Sequence, residues 1–170
     1  MQTVETQDMI QGLKDLLDAL IAKHETLLGV IKEERTAIVH NDLDGLDRAG
    51  KGKMVHQGTI MQLEEDRKKI LSSLCPQIGL SAQGVTLSAL IDNVPDAAKV
   101  ILAEKQTILR KLLRKVQISH DANKLLIQRT LAFREKLFIR LFDISQETGV
   151  YGPSGAGEQV QRVSLIDSKA

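Results

Sequence analysis

The residues of this chain that can carry chemistry are four histidines, one cysteine and carboxylates spread along the sequence. A metal centre in a helical bundle is commonly built from Glu-x-x-His pairs that face inward from neighbouring helices. The residues three positions before the histidines are Ile21, Ala37, Lys53 and Gln117. Because none of them is a glutamate, the sequence predicts no metal site and no bound cofactor.

The stretch from Asn41 to Gly45 is similar to the start of a calcium-binding loop. If Gly45 took the sixth position of such a loop, His40 would be first and Lys51 twelfth, where a bidentate glutamate is needed. Asn41 or Asp42 suits the cap of a helix instead, since its side chain accepts hydrogen bonds from N–H groups of the first turn. We therefore interpret this stretch as a boundary between two helices.

Three further candidates for catalysis receive little support from their surroundings. Residues 152–157 are rich in glycine but lack the Lys-Ser/Thr ending of a phosphate-binding loop. Cys75 has no histidine near it in the sequence to act as a base. His120, followed by Lys124, leaves open a histidine phosphotransfer module as a minor alternative. The chain is predicted not to be an enzyme.

Composition and charge exclude several classes of partner. The 170 residues carry a net charge of +1, so the protein has no strong positive potential to attract polyanions. Only 2% of the residues are aromatic and none is tryptophan, so stacking of nucleic-acid bases on aromatic side chains is not expected. A single cysteine and the absence of a signal peptide or a long apolar run predict a cytoplasmic protein without a membrane span. We therefore expect no nucleic acid and no membrane among its partners.

Apolar spacing predicts three long helices. The first covers about residues 5–39, the second runs from the boundary at 41–42 to Cys75-Pro76, and the third runs from Pro95 to about Thr148. Between them, Thr86 to Ile91 predicts a short helix that closes the bundle end. Four glycines lower the helix propensity of the first half of the second helix, so we expect this half to be the least stable helical part of the molecule. The predicted fold is all-α, an elongated antiparallel helical bundle or coiled-coil hairpin of three long helices plus a short connector helix.

The aromatic residues lie near the end of the third long helix and just beyond it. One stripe there is expected to continue the bundle seam and consists of Leu126, Phe133, Leu137 and Ile144. A second stripe beside it consists of Ile127, Leu131, Phe138 and Phe142, with Ile139 outside both. Because this helix is expected to be about 50 residues long and the other two about 33, we expect the second stripe to be exposed.

An exposed apolar stripe on a helix usually marks a site for a partner. The candidate partner-binding residues are Asn123, Ile127, Leu131, Phe138, Ile139 and Phe142. Asn123 also has a structural interpretation, since with Ser119 it forms a polar layer of the kind that sets helix register. Self-association through the same stripe, giving a homodimer or a structural coiled coil, stays open as an alternative.

The sequence resembles the FlgN family of flagellar type III export chaperones, and the likeness extends over nearly the whole chain. The order of the motifs supports it more than any one motif does. These motifs are residues 33–38 at the end of the first helix, residues 41–46 at the boundary, the acidic-to-basic run at 63–68, and Asn123 with Leu125 and Leu126 on a final helix closed by Tyr151-Gly152-Pro153.

The resemblance implies a non-catalytic cytoplasmic chaperone. Its partners would be the C-terminal helical regions of hook-filament junction proteins of the FlgK and FlgL type, and components of the export apparatus. It would keep these clients from assembling early and deliver them for export. The substrate-binding part of the family corresponds to about residues 125–144. Residues 1–148 would form the helical chaperone domain, and residues 149–170 are predicted to be a disordered C-terminal tail.

Overall fold

The computed structural model describes the backbone of residues 2–81 and 83–148, and the side chains of residues 4–81 and 83–143. Their regular structure is helical. The helices are α1 (Gln2–His40), α2 (Leu43–Gln77), α3 (Leu87–Asp92) and α4 (Asp96–Thr148). The predicted all-α fold of three long helices and a short connector helix is thus confirmed. The predicted tail, 149–170, lies outside the described residues.

The chain divides into two compact units. The first, Met1–Ile127, contains α1, α2, α3 and the beginning of α4. The second, Gln128–Ala170, contains the remainder of α4. The hydrophobic core lies in the first unit, and the predicted partner-binding residues belong to both.

Helix α1 buries a narrow stripe of apolar side chains along its 39 residues. The buried members are Ile10, Leu13, Leu17, Leu20, Leu27 and Ile31. Steps of three, four and seven residues place them on one side of the helix, where burial of each leucine or isoleucine contributes about 1.5–3 kcal/mol. These residues form the seam of α1, and Ile38, seven residues after Ile31, is half-buried.

The boundary between α1 and α2 uses both residues that the sequence offered as caps. Asn41 has a φ of 56°, in the left-handed region that ends a helix. Asp42 is the cap of α2, because its Oδ1 accepts a hydrogen bond from the N–H of Gly45 at 2.9 Å. This bond satisfies one of the N–H groups that the first turn leaves without a partner.

Helix α2 ends at Gln77, one residue beyond the end predicted at Cys75-Pro76. Pro76 lies inside the final turn. A proline removes one N–H donor, which is tolerable where the helix is about to end. The N–H of Ile78 closes this turn by bonding to the carbonyl of Cys75 at 3.2 Å.

The apolar residues of α2 lie on two faces of the helix. Leu71 and Leu74 are buried, but Leu43, Met54 and Met61 are exposed. Seven residues separate Met54 from Met61, so they share one side of the helix, and that side faces solvent. Apolar residues at helical spacing in this part of α2 therefore do not mark a buried seam.

Glycines allow α1 and α2 to approach closely. A Cβ atom added at Gly52 would lie 3.3 Å from Cγ1 of Val30, and one added at Gly45 would lie 3.2 Å from Cβ of Ala37. Larger side chains at these positions would push the helices apart. At Gly50 and Gly58, by contrast, an added Cβ would meet open space. The low stability expected for the first half of α2 stays a prediction.

The long helices α1 and α2 run antiparallel. The hydroxyl of Thr6, near the start of α1, donates a hydrogen bond to Oε1 of Gln77 at the end of α2, at 2.5 Å. Near the other end of α1, Glu34 forms an ion pair with Lys53 of α2. The hairpin predicted from the sequence is therefore present.

Within the first unit, α4 runs parallel to α1. Asp18 of α1 forms an ion pair with Lys105, and Nδ2 of Asn123 donates a hydrogen bond to the carbonyl of Ile31 at 2.7 Å. Residues 18–31 of α1 thus lie beside residues 105–123 of α4 with the same chain direction. The first unit is an up-down-up arrangement of three long helices.

The short helix α3 covers one end of this arrangement, as predicted. Thr86 caps it, with Oγ1 accepting a hydrogen bond from the N–H of Ala89 at 3.1 Å. Leu90 and Ile91 of α3 are buried in the main hydrophobic core. The other members of that core are Ile10, Leu13, Leu17, Leu20, Leu71, Leu74, Cys75, Val94, Ala98 and Leu102.

Candidate functional site

Every side chain of α4 from Leu131 to Asp143 is exposed, although more than half of them are large and apolar. The exposed fractions of the apolar ones range from 42% to 71%. These residues, here called the C-terminal apolar surface, are Leu131, Phe133, Leu137, Phe138, Ile139, Leu141 and Phe142. Contiguous apolar groups of this kind on a protein usually mark an interaction site.

The exposure has a simple physical reason. In the second unit, the described residues form one helical segment, 128–148, and provide no second helix for it. A helix removes its apolar side chains from water only by packing against another element. The C-terminal apolar surface therefore stays in contact with solvent unless something else covers it.

Most of the predicted partner-binding residues lie in this surface. Leu131, Phe138, Ile139 and Phe142 are members, with Phe138 the most exposed at 71%. Ile127 is half-buried and belongs to the first unit. The structure thus brings four of the six together on one segment of α4.

The prediction that Phe133 and Leu137 are buried in the bundle seam is wrong. They were expected to continue the bundle seam, but their exposed fractions are 62% and 42%. A seam needs a facing helix, and no described residue of the second unit provides one. Both side chains consequently enlarge the apolar surface that is available to a partner.

Sequence reasoning missed Leu141, which is 65% exposed. It lies four residues after Leu137 and three after Phe138, so it fills the face between the two predicted stripes. This spacing was readable from the sequence. Leu141 thus joins the two stripes, with the exposed Arg134, seven residues before it, on the same side of the helix.

Asn123 lies in the first unit and is 2% exposed. Its Nδ2 donates hydrogen bonds to the carbonyl of Ile31 at 2.7 Å and to Oε2 of Glu34 at 3.0 Å. Glu34 also pairs with Lys53, so one residue from each long helix contributes to a buried polar cluster of Glu34, Lys53 and Asn123. Asn123 is therefore part of the packing between helices and is not accessible to a partner.

The polar cluster holds Glu34 in its charged form. Burial raises the pKa of this carboxyl, but the hydrogen bonds from Lys53 and Asn123 and the positive charge of Lys53 outweigh burial, so the pKa is lowered overall. His120, itself exposed, adds a small contribution in the same direction. Glu34 continues the spacing of the α1 seam three residues after Ile31, which is the signal that sequence reasoning overlooked.

Across residues 2–81 and 83–148, no helix is long and apolar enough to cross a bilayer. In the same part of the chain, no three side chains of His, Cys, Asp or Glu lie close enough together to hold a metal ion.

A sequence model of the FlgN protein family matches residues 9–159, which is most of the chain. The chain belongs to the FlgN family. Neither a curated protein nor a solved structure matches it significantly. FlgN is a family of flagellar export chaperones, and membership assigns that general role to this protein. The FlgN match includes both the helical first unit and the C-terminal apolar surface.

Proposed function

We propose that this FlgN-family protein binds the C-terminal helical regions of hook-filament junction proteins of the FlgK and FlgL type through its C-terminal apolar surface. The observation that supports this proposal is the row of seven large apolar side chains left in water between Leu131 and Phe142. An amphipathic helix from a client can bury its apolar face against such a row.

Burial of about 400 Å² of apolar area at roughly 25 cal/mol per Å² would contribute about 10 kcal/mol before the cost of ordering both partners. After that cost, the affinity falls to about the micromolar range, which suits a complex that must release its client. While bound, the client helix is covered and cannot assemble prematurely in the cytoplasm. The chaperone then delivers it to the type III export apparatus.

The test replaces two of the rings by carboxylates, in the variant Phe138→Asp with Phe142→Asp. Charges in the centre of the interface should weaken binding to a purified junction protein about 100-fold or more. Both rings are exposed, so helicity and folding should be unchanged. Binding is measured by calorimetry and helicity by circular dichroism.

The matched control is Val100→Asp with Ile118→Asp, which alters two exposed apolar residues of α4 in the first unit. This control should bind the client as the wild type does. Unfolding of the Phe138/Phe142 variant would show that the two rings are core residues, and equal binding by both variants would reject the surface as the client site.

The same apolar surface also supports self-association as a second candidate function. A homodimer would cover the surface with a second copy, and mass measured by sedimentation would then rise with protein concentration. A chaperone awaiting its client should stay monomeric at micromolar concentration. A dimer that the client does not dissociate would favour the structural alternative.

A further inference from the structure

The charges that border the C-terminal apolar surface are distributed unevenly. Residues 1–127 carry equal numbers of basic and acidic side chains, whereas residues 128–143 carry four basic and two acidic ones. Three of the basic residues are Arg129, Lys136 and Arg140, and all three are exposed. The fourth, Arg134, lies seven residues before Leu141 and therefore on the same side of the helix as that leucine. The net positive charge of residues 1–143 is thus carried by residues 128–143.

These three cations lie along one edge of the helix. Lys136 follows Arg129 by seven residues and precedes Arg140 by four, which aligns them on one side. Phe133 and Leu137 are each three residues from one of these cations and form the adjoining part of the apolar surface. A depression on this side is lined by Phe133, Lys136, Leu137, Ile139 and Arg140. Apolar and cationic groups therefore contribute to one concave site.

The opposite edge of the apolar surface has a different character. Glu135 lies four residues after Leu131 and three before Phe138, so it borders the other side of the surface. Among the described side chains, the ion pairs do not include Arg129, Lys136 or Arg140. The cationic edge is therefore available to the charges of a partner.

We propose that the partner of this surface is an amphipathic helix with acidic residues along one border of its apolar face, positioned to pair with Lys136 and Arg140. This inference rests on the proposed function and specifies the chemistry of the client. Carboxylates beside the apolar anchors form charge-assisted hydrogen bonds with the two cations. The cationic edge also carries Asp143, seven residues after Lys136, but its three cations outnumber that carboxylate, whereas Glu135 lies at the other edge. A client helix with an acidic border on the side of Lys136 and Arg140 therefore matches the charges better than one with a basic border there.

The test uses three synthetic helical peptides of about 20 residues with one identical apolar face and with Glu, Gln or Lys at the bordering positions. In salt of about 0.1 M, the Glu peptide should bind the wild-type chain about tenfold more tightly than the Gln peptide, and the Lys peptide more weakly than both. At about 1 M salt, screening should bring the three affinities together.

The variant Lys136→Glu with Arg140→Glu should reverse the order, so that the Lys peptide binds most tightly. Its matched control is Lys111→Glu with Lys115→Glu, which has the same spacing, the same charge change and exposed positions on the same helix. The control should keep the wild-type order. Circular dichroism checks that both variants retain their helicity.

Equal affinity of the three peptides for the wild-type chain would overturn the inference while leaving the proposed function intact. An equally large change in the control variant would also overturn it, because net charge and not the cationic edge would then decide the preference. Failure of all three peptides to bind would overturn the proposed function itself, since they share the apolar face.

Discussion

Helix α4 carries apolar residues at helical spacing in both units, yet their environments are opposite. In the first unit, Ala98, Leu102 and Leu112 are buried, whereas Leu137 and Leu141 in the second unit are exposed. Both parts are regular α-helix and both contain leucines at helical spacing, so neither backbone structure nor leucine spacing explains the contrast. The difference is the presence of packing helices in the first unit. Helical spacing decides which face is apolar, and a neighbouring helix decides whether that face is buried.

The largest expected effect is on the free energy of unfolding when a leucine is truncated to alanine in each part of α4. Leu102→Ala, at a fully buried position, should lower the free energy of unfolding by about 3 kcal/mol through lost burial and a residual cavity. Leu141→Ala, at a 65% exposed position, should change it by less than about 0.5 kcal/mol. Urea denaturation followed by circular dichroism measures both values.

Client binding should show the reverse order of effects. Leu141→Ala should weaken binding about tenfold, because it removes part of the proposed contact surface. Leu102→Ala, studied at a temperature where it is folded, should bind as the wild type does. Similar effects of the two substitutions on stability would mean that the two parts of α4 do not differ as described.

The next effect concerns the buried polar cluster, which has no counterpart among the described residues of the second unit. Lys53→Met should lower the free energy of unfolding by about 2–3 kcal/mol, since it leaves the buried Glu34 without its cation. The matched control is Lys51→Met, which removes an exposed ion pair with Asp47 and should cost less than about 0.5 kcal/mol. Denaturant midpoints compare the two variants, and equal losses would argue that Glu34 gains nothing from Lys53.

Acid should destabilise the first unit through two buried groups. Burial lowers the pKa of His24 below its ordinary value of 6.5, against a small opposing effect of Glu64. The unfolded chain therefore binds more protons below pH 6.5, and stability should fall as pH drops from there towards the folded pKa. For Glu34, whose pKa is lowered from 4.5 by its bonds despite burial, stability should fall below about pH 4.5 as the carboxyl is protonated.

Two substitutions separate these pH dependences. His24→Gln should remove the decline that begins near pH 6.5, and Glu34→Gln should flatten the one at lower pH. Thermal unfolding recorded as a function of pH measures both. A wild-type profile that rises on acidification from pH 7 to pH 5 would contradict the assignment to His24.

Much of the fold was predictable because apolar spacing and helix caps in the sequence predict the same helices that the packing stabilises. The spacing of Leu13, Leu17 and Leu20, the cap at Asp42 and the short helix after Thr86 each have a physical cause within a few residues of sequence. The exposed side of α2 was not predictable in this way. Met54 and Met61 have apolar side chains at helical spacing, and only the position of α1 shows that they face solvent.

The candidate site was predictable in its position but not in its composition. Phe138 and Phe142 stand out because aromatic residues are rare in this chain. Phe133 and Leu137 were expected in a seam because the sequence shows their helical spacing but does not show whether another helix lies opposite them. Asn123 was assigned both to a polar layer and to the binding site, and its bonds to Ile31 and Glu34 decide for the polar layer.

The smallest expected effects on stability concern the glycines of α2, which also differ in whether a neighbouring group packs against them. Gly58→Ala should raise the free energy of unfolding by about 0.5–1 kcal/mol, because its Cβ meets open space and alanine is the better helix former. Gly45→Ala should lower it, since its Cβ would overlap the capping carboxylate of Asp42 and press on Ala37. Thermal unfolding of both variants measures the sign of each change. A stabilising Gly45→Ala would show that the cap and the close approach of α1 tolerate a methyl group, and that packed and open positions of one helix are not distinguished at this scale.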